Sequence, residues 1–387
     1  MNELCDSVAA ILAASPVEVV FGAGALDRVG ALAAGLSASR ALVVSDPGID
    51  RAGYTRRVEQ ALTDAGLAVT LFADAAENPT TADVDRALDA ARQCEPDLIV
   101  GIGGGSVMDC AKGANLLYCN GGRIADYWGE GKATRPNLPM ILIPTTAGTG
   151  SEAQSFALIS DEHTGQKMAC GDRRRSDEGG LRPRYAILDP DLTRTQPRNV
   201  ALAAGIDAIA HAVESAGCTR RNAASLTLSR AAWGLLDVAF PRSIADPTRE
   251  VPRGAMLLGA HLAGAAIERS MLGAAHACAN PLTARFGIAH GVAVGMMLPH
   301  VVRYNSANGT NAYAALMEDA SLLVRRIEEH LTVTGWPRSL AALGVQEGDL
   351  DNLADEASRQ WTAQFNPRPV DADAFRALYE AALKAAD

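Results

Sequence analysis

The sequence predicts an α/β unit built on a parallel sheet, followed by an all-α unit. Three observations carry this expectation. Short apolar runs alternate with amphipathic stretches through the first half. Strand-like signals fade beyond about residue 200. Between the two regimes lies Asp189–Arg198, where Pro190 and Pro197 interrupt regular structure.

The expected strands, in order, are Val17–Phe21, Ala41–Ser45, Ala68–Phe72, Asp97–Gly101, Met140–Ile143 and Ala186–Leu188. Helical spacing runs through Arg51–Gly66, Thr81–Gln93 and Val107–Leu117 between them. Strand, helix, strand in succession makes neighbouring strands parallel and covers both faces of the sheet. From about Val200 onward Ala- and Leu-rich helical patterns dominate, so the expected units are 1–195 and 196–387. There is no internal repeat and no low-complexity tract.

Composition narrows the function classes. Of 387 residues, 48% are hydrophobic and 21% charged, which is ordinary globular stock with little room for disorder. The formal charge of −10, without a concentrated basic face, argues against binding nucleic acid. Seven cysteines, odd in number and without a CxxC, do not read as a disulfide framework, and a reducing cytoplasm is the expected compartment. Met1–Pro16 carries Glu3 and Asp6 and lacks a basic n-region, so no export signal is read there. No uninterrupted apolar run approaches the ~20 residues of a spanning helix, so no membrane partner is expected. Lysine is scarce, at positions 112, 132, 167 and 384 only, which makes each one worth a question. Five arginines crowd residues 172–184, either on a solvated loop or as an anion-attracting rim.

Two loops at strand ends could hold a ligand. Gly101-Ile-Gly-Gly-Gly-Ser106 follows an apolar strand and opens a helical run, where glycines admit close backbone approach and a helix start offers free N–H groups to a phosphate. It is not a standard dinucleotide fingerprint, which sits in the first βα turn. Asp46 ends an earlier strand; it could hold a ribose diol and repel a 2′-phosphate, or simply start the turn at Pro47. Pro144-Thr-Thr-Ala-Gly-Thr-Gly-Ser-Glu152 follows another strand and is rich in hydroxyls, although Ser151 or Thr149 could equally be a helix cap.

In the second half, Asp207 and His211 stand at i and i+4 on an Ala-rich helix. A divalent metal or a plain Asp–His hydrogen bond would satisfy them. His276 and His290 lie in apolar surroundings and could be core histidines. One carboxylate and three imidazoles would suit Fe2+ or Zn2+ and leave a position open for substrate.

Together, Gly103-Gly-Gly-Ser106-x-x-Asp109-x-Ala-Lys112, the Pro144–Glu152 loop, Gly205-Ile-Asp-Ala-Ile-Ala-His-Ala-Val-Glu214 and Ala289-His-Gly-Val-Ala293 closely resemble the iron-containing (group III) alcohol dehydrogenase family. The resemblance runs from Phe21-Gly-Ala-Gly24 to Asn366-Pro-Arg-Pro369. It implies an N-terminal dinucleotide-binding domain, a helical C-terminal domain and a site in the cleft between them. It further implies metal ligation by Asp207, His211, His276 and His290, with Fe2+ or alternatively Zn2+ as the ion. For the cofactor NAD it implies a pyrophosphate loop at Gly103, Gly104, Gly105 and Ser106, with Asp109 in the same motif. Thr145, Thr146 and Thr149 match nicotinamide-side contacts, Lys167 a lysine facing the cofactor, and Asp46 the acid that favours NAD over NADP. Two positions depart from the pattern: Asn280 stands where many members carry a second histidine, and Ile267, beside Glu268 and Arg269, where some carry a pocket aromatic.

The expected activity is reversible hydride transfer between NAD(H) and a small alcohol or aldehyde, by a homodimer. A maleylacetate-type or other carbonyl reductase acting on an anionic substrate is the alternative. A cyclising synthase of the shikimate route fits the Asp-x-x-x-His spacing and the threonine loop less well. A catalytically silent NAD-binding scaffold has no reason to keep four costly polar residues.

Overall fold

A computed structural model describes residues 12, 14–307, 309 and 311–384. Cys5 and most of the stretch weighed as an export signal lie outside them. The chain divides into two compact units, Met1–Gln196 and Pro197–Asp387.

The first unit contains strands β1 (Glu18–Phe21), β2 (Arg40–Val44), β3 (Ala68–Phe72), β4 (Leu98–Gly103), β5 (Gly129–Glu130), β6 (Met140–Pro144), β7 (Phe156–Ser160), β8 (Lys167–Gly171) and β9 (Tyr185–Leu188). Its helices are α1 (Val29–Gly35), α2 (Pro47–Arg51), α3 (Tyr54–Asp64), α4 (Thr81–Cys94) and α5 (Gly105–Asn120). Six strands make one parallel sheet in the spatial order β1-β9-β6-β4-β2-β3. Alternate residues serve opposite faces. Ala41 and Val43 of β2, with Leu98, Val100 and Ile102 of β4, pack against Val29, Ala33, Val58 and Leu62. Leu42, Val44 and Ile99 turn the other way, to Val84, Leu88, Ala111 and Ala114. Both faces are therefore covered, which is why these strands read as unbroken apolar runs. Each Val, Leu or Ile so buried contributes about 1.5–3 kcal/mol relative to exposure.

Two expectations are corrected here. The helix expected over Arg51–Gly66 is α3, which starts only at Tyr54: Arg51 is the last residue of α2, and Gly53 between the two adopts a left-handed φ of 80°. Strand β4 runs on to Gly103, where it pairs with Pro144 of β6, so the glycine run begins inside the sheet. A three-stranded sheet, β5-β8-β7, lay outside the expected elements; its β7 and β8 form an antiparallel pair.

The sheet order sets up a crevice. Beyond β2 lies β3 on one side, while β4 and then β6 continue on the other, so strand progression reverses between β2 and β4. In open α/β sheets, ligands bind at the carboxyl ends of the strands flanking such a reversal. Asp46 follows β2, the glycine loop follows β4 and the threonine loop follows β6.

The second unit is helical among the described residues: α6 (Arg198–Gly217), α7 (Ala223–Ala245), α8 (Glu250–Arg269), α9 (Ala274–Phe286), α10 (His290–Ser306), α11 (Ala320–Thr334), α12 (Leu350–Ser358) and α13 (Ala372–Leu383). Helix α6 is its hub, packed by α7, α8 and α10. Every residue from Gly205 to Gly217 is buried, so α6 is enclosed on all sides, with Asp207, His211 and Glu214 as polar side chains inside it. By length and composition alone it would pass for a membrane span, but most of it is buried within the protein.

Candidate functional site

Three helices bring four polar side chains to one point. Asp207 and His211 lie one turn apart on α6, His276 is the third residue of α9, and His290 opens α10. The local sequence explains this convergence. Gly287, with φ 66°, ends α9 in the left-handed conformation, and only Ile288 and Ala289 separate it from α10. A Cβ on Gly291 would stand 2.0 Å from the Ala203 carbonyl oxygen, so glycine is what lets α10 start against α6.

Asp207 Oδ1 is the centre of the group. His276 Nε2 lies 3.3 Å from it, His211 Nε2 3.5 Å and His290 Nε2 3.9 Å. The His211 and His276 rings stack at 4.9 Å, and His290 is tilted to His276 at 5.4 Å. Asp207, His211 and His276 are buried, whereas the side chain of His290 keeps 29% of its surface open. Burial alone would raise the Asp207 carboxyl, but His211, His276 and His290 hold it well below the usual range. For His276, burial lowers the ring, and the carboxylates of Asp207 and Glu214 more than reverse this, to about 9.

This arrangement fits a divalent cation. Asp207 Oδ1 and His276 Nε2 are buried, face each other, and form no well-aligned hydrogen bond. A buried polar atom without such a bond needs an explanation. One potential ligand atom from each of Asp207, His276 and His290 lies within 4.8 Å of the others. Bonds of about 2.1 Å in a tetrahedral site set donors about 3.4 Å apart, close to the separations here. The donors are three imidazoles and one carboxylate, a set suited to Fe2+ or Zn2+.

In the first unit, the glycine and threonine loops are interlocked. Gly104 precedes α5 and supplies no side-chain cap to that 16-residue helix. Its first N–H groups are therefore available to an anion. A Cβ on Gly105 would meet the Thr149 side chain at 2.7 Å, so glycine is required for the close approach of the two loops. Thr145 N donates to the Gly103 carbonyl at 2.9 Å, and Ser106 Oγ accepts from Asn78 N at 3.0 Å. Thr146 and Thr149 are half-buried at the loop surface.

Asp109 lies beneath the threonine loop, accepting a 2.7 Å hydrogen bond from Ser151 Oγ. Lys112 is fully buried and donates to Ser151 O, Ser151 Oγ and Phe156 O at 2.7, 2.8 and 2.9 Å. Burial raises the Asp109 carboxyl above its usual range despite the neighbouring Lys112 and Lys167 charges. Lys167 itself is exposed at the start of β8. Asp46 Oδ1 caps α2 by accepting from Gly48 N and Ile49 N, at 2.7 and 3.0 Å, which is the turn-starting role weighed for it. Asn280 donates to Gln360 Oε1 at 2.9 Å.

Several arginines of 172–184 are held by neighbours. Arg174 clasps Asp172, Arg175 pairs with Asp177 at 2.7 Å, and Arg173 lies 3.4 Å from Glu130 and over the Phe156 ring. That pairing favours the structural reading over a spare anion-attracting rim.

Sequence reasoning gave no role to Glu214, Asn366 or Lys112 and weighed Ser151 only as a helix cap, although all four stand in the quoted motifs. For Glu214 a signal existed: it is seven residues beyond Asp207 and three beyond His211, on the same face of α6.

Known proteins match this chain along nearly its whole length. The family model described as iron-containing alcohol dehydrogenase matches residues 16–190. The C-terminal model of the Fe-containing alcohol dehydrogenase family matches residues 201–383. The NAD-dependent methanol dehydrogenase of Bacillus methanolicus is 31% identical over 366 residues, covering 91% of this chain and 94% of that protein. The sulfoacetaldehyde reductase of Bilophila wadsworthia is 30% identical over 385 residues, covering 95% and 98%. A crystal structure of 1,3-propanediol oxidoreductase superposes with a TM-score of 0.89 at 28% identity, covering 95% of this chain and 98% of that one. With both halves of the chain matched in order, this protein belongs to the iron-containing alcohol dehydrogenase family.

Proposed function

We propose that the protein is an NAD(H)-linked, metal-dependent alcohol dehydrogenase and aldehyde reductase. The observation that carries this reading is the ring of His211, His276 and His290 around Asp207 Oδ1. These four residues hold the cation, Fe2+ or alternatively Zn2+. When bound, the cation supplies Lewis acidity to the substrate oxygen, and the nicotinamide gives or takes the hydride. The chain's own part is positioning. The N–H groups at the start of α5, with Gly103, Gly104, Gly105 and Ser106, receive the pyrophosphate. Asp46 meets the ribose diol and disfavours a 2′-phosphate. Thr145, Thr146 and Thr149 orient the nicotinamide, Lys167 faces the cofactor, and Asp109 braces the threonine loop through Ser151. Asn280 does not titrate and is engaged by Gln360, so it relays no proton.

In this reading residues 1–195 form the NAD-binding domain and 196–387 the metal-binding domain. The described cysteines form no disulfide, which supports a cytoplasmic location. A homodimer is the proposed assembly. Among the described residues β1 is an edge strand, and its Phe21 is 39% exposed, which supports a second copy packing there.

The test is Asp207→Ala. The variant should fold, lose its bound metal and lose at least about 100-fold in kcat for alcohol oxidation, the scale of one electrostatic stabiliser. Full activity with the fold intact would overturn the metal mechanism. A second reading, reduction of a sulfonated aldehyde, is supported by the similarity to sulfoacetaldehyde reductase. Comparing NADH oxidation with sulfoacetaldehyde and with short alkyl aldehydes, on Fe2+-loaded protein, separates the two.

A further inference from the structure

Helix α9 has no cap of its own. Its N-cap residue is Gly273, and the orphaned N–H groups that follow are satisfied from elsewhere in the fold. Ala274 N donates to Asn366 Oδ1 at 3.3 Å, Ala275 N to Glu214 Oε1 at 2.7 Å, and His276 N points to Glu214 Oε2 at 3.4 Å. The same Oε2 lies 2.5 Å from His276 Nδ1. One carboxylate on α6 thus holds both the backbone of the helix start and the ring of its third residue. Glu214 and Asn366 are each 3% exposed, so both are built into the interior.

Asn366 is fixed in turn. Its amide donates to Asn305 Oδ1 at 2.7 Å and to the Arg368 carbonyl at 2.6 Å. Asn305 Nδ2 donates back to Asn366 Oδ1 at 3.1 Å and to Tyr313 Oη at 2.7 Å. These bonds leave the Asn366 side-chain oxygen directed at Ala274 N and give the Asn366-Pro-Arg-Pro369 motif a purpose. Gly273 leaves room for both cap oxygens: a Cβ there would stand 3.0 Å from Glu214 Oε1 and 3.1 Å from Asn366 Oδ1.

We propose that Glu214 and Asn366 are the positioning residues of His276: they supply the missing cap of α9, and Glu214 commits Nδ1 so that Nε2 is the nitrogen presented to Asp207. The inference rests on the metal-dependent reading above. Histidine ligands commonly have their second nitrogen held by a carboxylate, and losing that partner typically costs 10–100-fold in metal affinity. Glutamine at 214 would keep an acceptor for Ala275 N. Its NH2 group, turned to Nδ1, would favour the ring form whose proton sits on Nε2 and blocks ligation there.

Full-length protein freed of metal is titrated with Co2+, reading affinity by competition with a chelating indicator and coordination by the visible Co2+ absorption. Wild type is expected to bind one Co2+ per chain. Glu214→Gln should keep its circular dichroism, bind at least 10-fold more weakly and show an altered Co2+ spectrum, which a merely structural role would not produce. Gly273→Ala removes no donor and no acceptor but crowds both cap oxygens; it should weaken Co2+ binding several-fold and serves should Glu214→Gln fail to fold. Wild-type Co2+ affinity and spectrum in a folded Glu214→Gln, or in Gly273→Ala where Glu214→Gln does not fold, overturn the inference alone. Wild type that binds no Co2+ overturns the metal-dependent reading and the inference with it.

Discussion

Asp46 shows how one side chain can carry two separable roles. Both backbone hydrogen bonds it accepts end on Oδ1, so the cap needs an oxygen at that place but not a charge. Asn and Asp cap helices about equally well, whereas Ala costs about 1 kcal/mol. Asp46→Asn should therefore keep the denaturation midpoint of wild type and relax the preference for NADH over NADPH; Asp46→Ala should lose both. The kcat/KM ratio for the two cofactors, measured beside a urea titration, decides this, and an unrelaxed ratio in Asp46→Asn would remove the charge from cofactor choice. Legibility at this scale followed geometry. Asp207 and His211 could be paired in the sequence because four residues make one helical turn. His276 and His290 have no such local partner, and their apolar neighbours are equally compatible with a core. Glu214 is harder still, because a helical glutamate ordinarily faces water, and its partners at the start of α9 lie about 60 residues further along the chain.

Among the elements, the two loops that follow β4 and β6 behave as one. The approach of Gly105 to Thr149 leaves no room for a methyl group, since a Cβ would lie 2.7 Å from the threonine side chain. In Gly105→Ala the threonine loop must shift, and the expected result is a several-fold rise in the KM for NADH with metal content unchanged. An unaltered KM would mean that the loop does not touch the cofactor. The buried Lys112 works from the opposite side, tying Ser151 and Phe156 together at the base of the same loop. Strands of the main sheet were legible because both faces are buried and their apolar runs are continuous. The β7–β8 pair was not. Phe156–Ile159 is an apolar run as long as Met140–Ile143, but its partner Lys167–Gly171 holds no β-branched residue and ends in glycine, so nothing in the sequence pairs the two across the polar turn Asp161–Gln166. The break between α2 and α3 hung on one glycine inside an otherwise continuous helical pattern, where propensity alone does not settle the matter.

At the scale of the molecule, the shift from alternating to helical patterning was visible because it depends on summed composition rather than on any single contact. Acid sensitivity also belongs here. Burial, reinforced by Arg303, presses His300 down from 6.5 to about 4. Between those values the unfolded chain binds a proton that the folded chain refuses, so this contribution to stability is whole above about pH 6.5 and is lost as the pH falls toward 4. Replacing the ring by glutamine should flatten the fall of the urea midpoint between pH 7 and pH 5, and an identical fall in His300→Gln would show that other groups set the acid limit. A last consequence concerns time rather than energy. The hydrogen bond between Ala274 N and Asn366 Oδ1 joins residues 92 positions apart. A chain leaving the ribosome releases Asp207, His211, His276 and His290 long before Asn366, so all four donors are in the open while the α9 start still lacks one of its two anchors. On the proposed reading of these four residues, the α9 start that carries His276 is completed only after Asn366 has been made.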